Sequence, residues 1–123
     1  MPSRQRVEQF VQLVEAGEYL RAIDDFYHSN ASMQENGAPP REGRDNLVAY
    51  ERKFLASLAS MRTRRVETVL VDGDQVAINW VFEMTDSSGK ARTLDELALQ
   101  LWQGDRILRE RFYYDPGQVR PAT

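Results

Sequence analysis

An α+β fold, three N-terminal helices packed on one face of a curved antiparallel sheet, is predicted by two observations. Apolar residues recur with a period near 3.6 until about residue 59, and with a period of about 2 after Met61. Turn signals rich in Gly and Asp then cut the second half into segments of strand length. At 123 residues the chain reads as one domain, 1–123, with a single core.

The first helix runs from about Ser3 to Ala16. Val7, Phe10, Val11 and Val14 recur at i, i+3, i+4 and i+7, with Ser3 as N-cap and Gly17 as stop. A second helix carries Tyr19, Leu20, Ile23, Phe26 and Tyr27 on one face. A short extended piece follows around Met33. Gly37-Ala38-Pro39-Pro40-Arg41-Glu42-Gly43 is read as an irregular loop, because two prolines and two glycines oppose regular structure. The third helix is expected over Arg44 to Ala59, with Leu47, Tyr50, Phe54, Leu55 and Leu58 as its stripe. Asp45 in its first turn suits the helix dipole.

The first strand of the meander is Val66 to Val71, and Asp72-Gly73 is a hairpin turn. Val76, Ile78, Trp80, Phe82 and Met84 then alternate with Ala77, Asn79, Val81 and Glu83. Asp86-Ser87-Ser88-Gly89 turns into a strand from about Arg92 to Trp102. Gly104-Asp105 turns into the last, Arg106 to Tyr114, which Pro116 and Gly117 end.

Composition excludes several function classes. A hydrophobic fraction of 41% and a charged fraction of 28% are those of an ordinary globular protein. No apolar run reaches the ~18 residues of a membrane span, and the N-terminal pattern is not a signal-peptide core. The chain has no cysteine, which removes disulfides and thiolate metal sites. One histidine argues against a His-rich metal site or a Ser-His-Asp arrangement. A net charge of -3 argues against a nucleic-acid partner. No cofactor, no membrane and a cytoplasmic location are the expectations.

The strand from Arg92 to Trp102 has Leu97, Leu99 and Leu101 on one face, and Glu96, Ala98, Gln100 and Trp102 on the other. In the last strand Ile107, Arg109, Arg111 and Tyr113 oppose Leu108, Glu110, Phe112 and Tyr114. A sheet with one face in water should be apolar on one side and polar on the other. Here both faces carry large apolar groups. Either the inner face lines a cavity and the outer face meets a second subunit, or long twisted strands leave each face partly core and partly solvent.

Glu35 sits in an extended segment beside apolar neighbours, a position from which a carboxylate acts as general base. The alternative is a solvated carboxylate that orders the Pro-Pro loop. Glu96 and Glu110 lie on neighbouring strands and on the expected inner face. Close carboxylates raise one another's pKa and make an acid/base pair, unless arginines pair with them. Gln100 is a hydrogen-bond partner for a ligand or for another buried group. Trp80, Phe82, Trp102, Phe112 and Tyr114 form an aromatic pocket wall or ordinary core. Tyr27, read as ending the second helix beside Glu35, offers its hydroxyl to a ligand or to water. His28, off the helix stripe, reads as surface. Arg62, Arg64 and Arg65 read as a solvated strand edge.

The order Glu15-Ala16-Gly17-Glu18, Ala22-Ile23, Phe26-Tyr27, Ala31-Ser32-Met33-Gln34-Glu35 and Pro40-Arg41-Glu42-Gly43, closed by Arg111-Phe112-Tyr113-Tyr114-Asp115, resembles the nuclear transport factor 2-like superfamily. Within it, the chain resembles SnoaL-like polyketide cyclases and ketosteroid isomerases. The resemblance implies a cone-shaped half-barrel of cystatin-like type, with a deep apolar pocket between helices and sheet. It also implies a homodimer through the outer sheet face. Glu35 falls where the isomerases carry their catalytic aspartate. Their oxyanion hole takes a helix-one tyrosine, where this chain has Phe10, and a protonated sheet aspartate, which falls near Glu96 or Leu97. A steroid isomerase is therefore not expected. The Asp-Arg-Asp cluster of the superfamily's epoxide hydrolases is matched only loosely by Glu96, Arg111 and Glu110. The expectation is an apolar or aromatic small molecule held by Phe10, Tyr27, Met33, Gln100 and the aromatic wall. Glu35, Glu96 and Glu110 would then carry isomerisation, cyclisation or hydrolysis without a cofactor. The rival is a non-catalytic binding or dimerisation module.

Overall fold

The structure, a computed structural model, describes residues 1–119 apart from the side chain of Arg65, so that residue's part in the basic cluster lies outside the described residues. Helix α1 spans Arg4–Glu15, and the Ser3 hydroxyl accepts a hydrogen bond from the Arg6 amide at 3.0 Å. Gly17, at φ 80°, reverses the chain into α2, Tyr19–Phe26. The strands are β1 (Tyr27–Glu35), β2 (Arg41–Glu42), β3 (Leu58–Asp72), β4 (Gln75–Asp86), β5 (Ala91–Gln103) and β6 (Arg106–Tyr113); α3, Arg44–Ala56, lies between β2 and β3. A single 3-10 turn follows at Pro116–Gln118.

The six strands form one sheet in the order β2-β1-β6-β5-β4-β3. Its end strands, β2 and β3, do not pair with each other, so the sheet stays open as the expected half-barrel. The inward row of β4, Val76, Ile78, Trp80, Phe82 and Met84, is buried with Val7, Phe10 and Val14 of α1 and Ile23 and Phe26 of α2 in one core. That row and the stripe of α1 are where the periodicities placed them.

Five expectations need correction. The sheet is not antiparallel throughout, because β1 runs parallel to β6. The Pro-Pro loop is not wholly irregular: Arg41 and Glu42 pair with Met33 and Ser32, since the chain regains extended geometry after Pro40. Helix α3 stops at Ala56 and Leu58 opens β3, so the strand is far longer than Val66 to Val71. Tyr50 is also off the core stripe, at 46% exposure. Finally, Ile107 faces the core although Glu110 does too. Leu101 pairs with Arg109 and Trp102 with Ile107, which leaves Leu108 as an extra residue and reverses the alternation there.

Candidate functional site

Between the helices and the sheet's inner face lies a cavity of about 320 Å³. Its floor comes from the strands. Glu96 on β5 pairs across to Trp80 on β4, and Gln100 pairs across to Glu110 on β6. Glu96, Gln100 and Glu110 are all buried, at 7%, 1% and 3% exposure. Polar groups so deeply placed require partners. Glu110 has two. The Tyr27 hydroxyl donates a short hydrogen bond to its Oε1, and Gln100 Nε2 donates to its Oε2 at 2.6 Å. Gln100 is itself oriented, since its Oε1 accepts from Trp102 Nε1 at 2.9 Å. A chain of donors thus runs from Trp102 through Gln100 to Glu110, with Tyr27 closing the other oxygen.

Tyr27 reaches Glu110 because the helix ends just before it. Its backbone is extended, with φ -101° and ψ 142°. Its freed carbonyl accepts from Arg44 at 3.2 Å and Arg106 at 3.3 Å. Glu35 stands at the opposite end of β1 and is half-buried. Its Oε2 pairs with Arg41 at 3.3 Å and its Oε1 accepts from the Tyr114 hydroxyl at 3.1 Å. Asn36, at φ 49°, ends the strand here and locks it to β6. Its amide donates to the Phe112 carbonyl at 2.8 Å, and its side chain accepts from the Tyr114 amide at 3.0 Å. Arg41 lies flat on the Tyr50 ring at 3.7 Å, so β2 and α3 hold the mouth together.

The electrostatics follow from burial. Desolvation raises Glu110 to about 7; the hydrogen bonds from Gln100 and Tyr27 oppose that rise, and the Glu35 and Glu51 charges add to it. Desolvation, then the Glu35, Glu110 and Glu51 charges, hold Glu96 well above the carboxylate range. Glu51 rises to about 7, again chiefly by burial. Burial also raises the Tyr27 and Tyr114 hydroxyls.

Of the residues singled out in the sequence, Phe10, Tyr27, Met33, Glu35, Trp80 and Phe82 line the cavity, as do Glu96, Glu110, Phe112 and Tyr114. Gln100 and Trp102 do not. They serve Glu110 from outside the lining, so Gln100's amide is spent within the protein. Tyr27 and Glu35 are not neighbours but opposite ends of one strand. His28 is away from the cavity, its Nδ1 accepting from the Asn30 amide at 3.0 Å. Arg62 and Arg64 pair with Glu83. Arg111 is turned away from Glu110 and bonds the Asn36 carbonyl at 2.9 Å.

Sequence reasoning missed Glu51 and Arg41. Glu51 was findable: it stands at i+4 from Leu47 and three before Phe54, on the inward stripe of α3, where an acid is out of pattern. Arg41 gave no local signal, because its place at the mouth depends on the pairing of β2 with β1. No three His, Asp or Glu side chains among the described residues converge as metal ligands. No helix among them is long and apolar enough to cross a membrane.

Comparison with solved structures gives the same fold. A protein from Mesorhizobium loti, named provisionally as a SnoaL-like polyketide cyclase, is 23% identical with a TM-score of 0.79, covering 93% of this chain and 100% of its own. A Catenulispora acidiphila protein with a ketosteroid isomerase-like fold, in complex with trimethylamine, is 14% identical with a TM-score of 0.79, covering 95% and 90%. TerC, co-crystallised with polyporic acid, is 16% identical with a TM-score of 0.76, covering 91% and 93%. Comparison with curated proteins gives no match. The sequence profile of the SnoaL-like domain matches residues 7–110, nearly the whole span from α1 to the buried carboxyl of β6, and the chain belongs to that family.

Proposed function

We propose that the cavity binds a small, mainly apolar or aromatic molecule and that the domain catalyses proton transfer on it without a cofactor, as an isomerase, cyclase or hydrolase. The observation that carries this reading is Glu110. It is a buried carboxyl on the cavity wall, oriented by two hydrogen bonds and held near pH 7, the midpoint a proton carrier needs to accept and return a proton at neutral pH. Glu35, expected from its position to be the base, is instead engaged with Arg41 and Tyr114 at the mouth. It acts there as a second carboxylate, while Glu96 orients the ligand. The polyketide-cyclase naming of a structural relative suggests 1,3-dicarbonyl compounds as first substrates to try.

Deuterium exchange at the α-carbon of an aromatic 1,3-diketone, followed by NMR, tests the assignment. Glu110→Gln keeps the local geometry, because the new amide can donate to Tyr27 while its oxygen still accepts from Gln100. Exchange should accelerate with the wild-type protein and fall at least about a hundredfold in Glu110→Gln. Equal exchange in both would end Glu110's role as proton carrier.

Leu70, Leu97, Leu99 and Tyr113, exposed on the outer face, favour a homodimer through that face. They also support a second reading, a dimerisation or binding module without catalysis. A cytoplasmic setting accompanies both, since a chain without cysteine gains nothing from an oxidising compartment.

A further inference from the structure

We propose that the ligand of this cavity is an organic cation, an ammonium group on an apolar or aromatic body, with Glu96 as its counter-ion and Trp80 as the aromatic face beside it. This rests on the reading of the cavity as a ligand site and adds the ligand's charge.

The lining is unbalanced in charge. Glu35, Glu51, Glu96 and Glu110 face Arg41 alone, and Arg41 is already paired with Glu35. An anionic ligand would meet three further carboxyl groups, and the one guanidinium of the lining, its Nε unpartnered, is already held by Glu35. Glu110 is satisfied by Tyr27 and Gln100, but Glu96 is not. It is 7% exposed and lines the cavity; its backbone carbonyl accepts from Asn79 Nδ2 at 2.9 Å, but its carboxyl has no hydrogen bond or ion pair among the described residues. A carboxyl on the cavity wall that no protein group engages is open to a donor brought by the ligand.

The surroundings of Glu96 select the kind of donor. Trp80, which lines the cavity, is its cross-strand neighbour, so the indole lies next to the carboxyl while one of its faces stacks on Phe82 at 5.8 Å. An acid beside an indole face is the pairing that recognises alkylammonium groups. A bare metal ion does not fit, since no three His, Asp or Glu side chains of the described residues converge.

The proposal has a pH signature. The charged groups facing Glu96 are Glu35 of β1, Glu51 of α3 and Glu110 of β6, with Arg41 of β2 the one positive group. Burial and the three acids push the Glu96 carboxyl toward its protonated form. A cation favours the ionised form, so its binding expels a proton and tightens as pH rises.

Benzyltrimethylammonium and its uncharged isostere neopentylbenzene, titrated into the wild-type chain, read the charge preference directly. The cation should bind at least about tenfold tighter. Calorimetry in two buffers of different ionisation heat should show proton release with the cation only. In Glu96→Gln the cation should lose about tenfold while neopentylbenzene is unchanged. Neopentylbenzene binding as tightly as the cation would overturn the charge assignment and leave the cavity reading standing. An unchanged cation affinity in Glu96→Gln would overturn Glu96 as counter-ion. Binding of neither probe would sink this proposal and the apolar-ligand reading together.

Discussion

The two faces of β5 invert the usual rule of burial. On the inner face Leu94, Glu96, Ala98, Gln100 and Trp102 are buried, two of them polar. On the outer face Leu97 and Leu99 are 43% and 40% exposed. A buried acid and an exposed leucine are each disfavoured alone. Side by side on one strand, they mark two different environments of the same backbone: the inner face holds polar groups against the cavity, and the outer face leaves apolar groups exposed. The contrast can be broken or sharpened by substitutions on each side.

Trp102→Ala should have the largest effect. It empties a site that is 2% exposed and removes the donor to Gln100, so urea unfolding should show a loss of about 3–5 kcal/mol. A loss under about 1 kcal/mol would mean that the inner face is not the core.

The next effect is the pH dependence. The folded-state value of Glu110 is about 7, raised from 4.5. Between these values the unfolded chain gives up its proton first, so the stability that Glu110 contributes falls as pH rises from about 4.5 to 7 and is lost beyond. The loss for Glu110 is about 3 kcal/mol. Glu51 adds a loss of the same sign over the same window. Unfolding measured across that window should show the decline, and Glu110→Gln should flatten part of it. Stability rising over this range would contradict the raised values.

Gln100→Leu comes third. It leaves Trp102 Nε1 and one Glu110 oxygen without partners, at roughly 1–3 kcal/mol. Because Gln100 holds the Glu110 pKa down, the Glu110 midpoint followed by carboxyl NMR should move up. An unmoved midpoint would remove Gln100 as the positioning group.

On the outer face, Leu99→Thr should change the unfolding free energy of the isolated protomer by no more than about 0.5 kcal/mol. Sedimentation should nevertheless show the proposed homodimer weakened. If the wild-type chain is monomeric at high concentration, the exposed leucines need another explanation.

Much of this was legible in the residues. Alternation placed Glu96 and Gln100 inward on β5, and spacing placed Phe10 and Phe26 in the core. The site was only half legible. Glu110 was paired with Glu96 in the sequence reading, but its true holders are Tyr27, 83 residues away, and Gln100. Glu35 drew attention as an isolated acid, yet its pairing with Arg41 depends on a two-residue strand hidden in a proline-rich loop.

Local pattern determined the order of helices and strands, their turns and most of their faces, because hydrophobic periodicity and turn chemistry act over a few neighbouring residues. Tertiary structure alone decided the parallel pairing of β1 with β6, the bulge at Leu108 that turns both Ile107 and Glu110 inward, and the gathering of four glutamates around one cavity. Those outcomes depend on contacts between distant segments, and on burial that shifts a carboxyl only when other elements close over it.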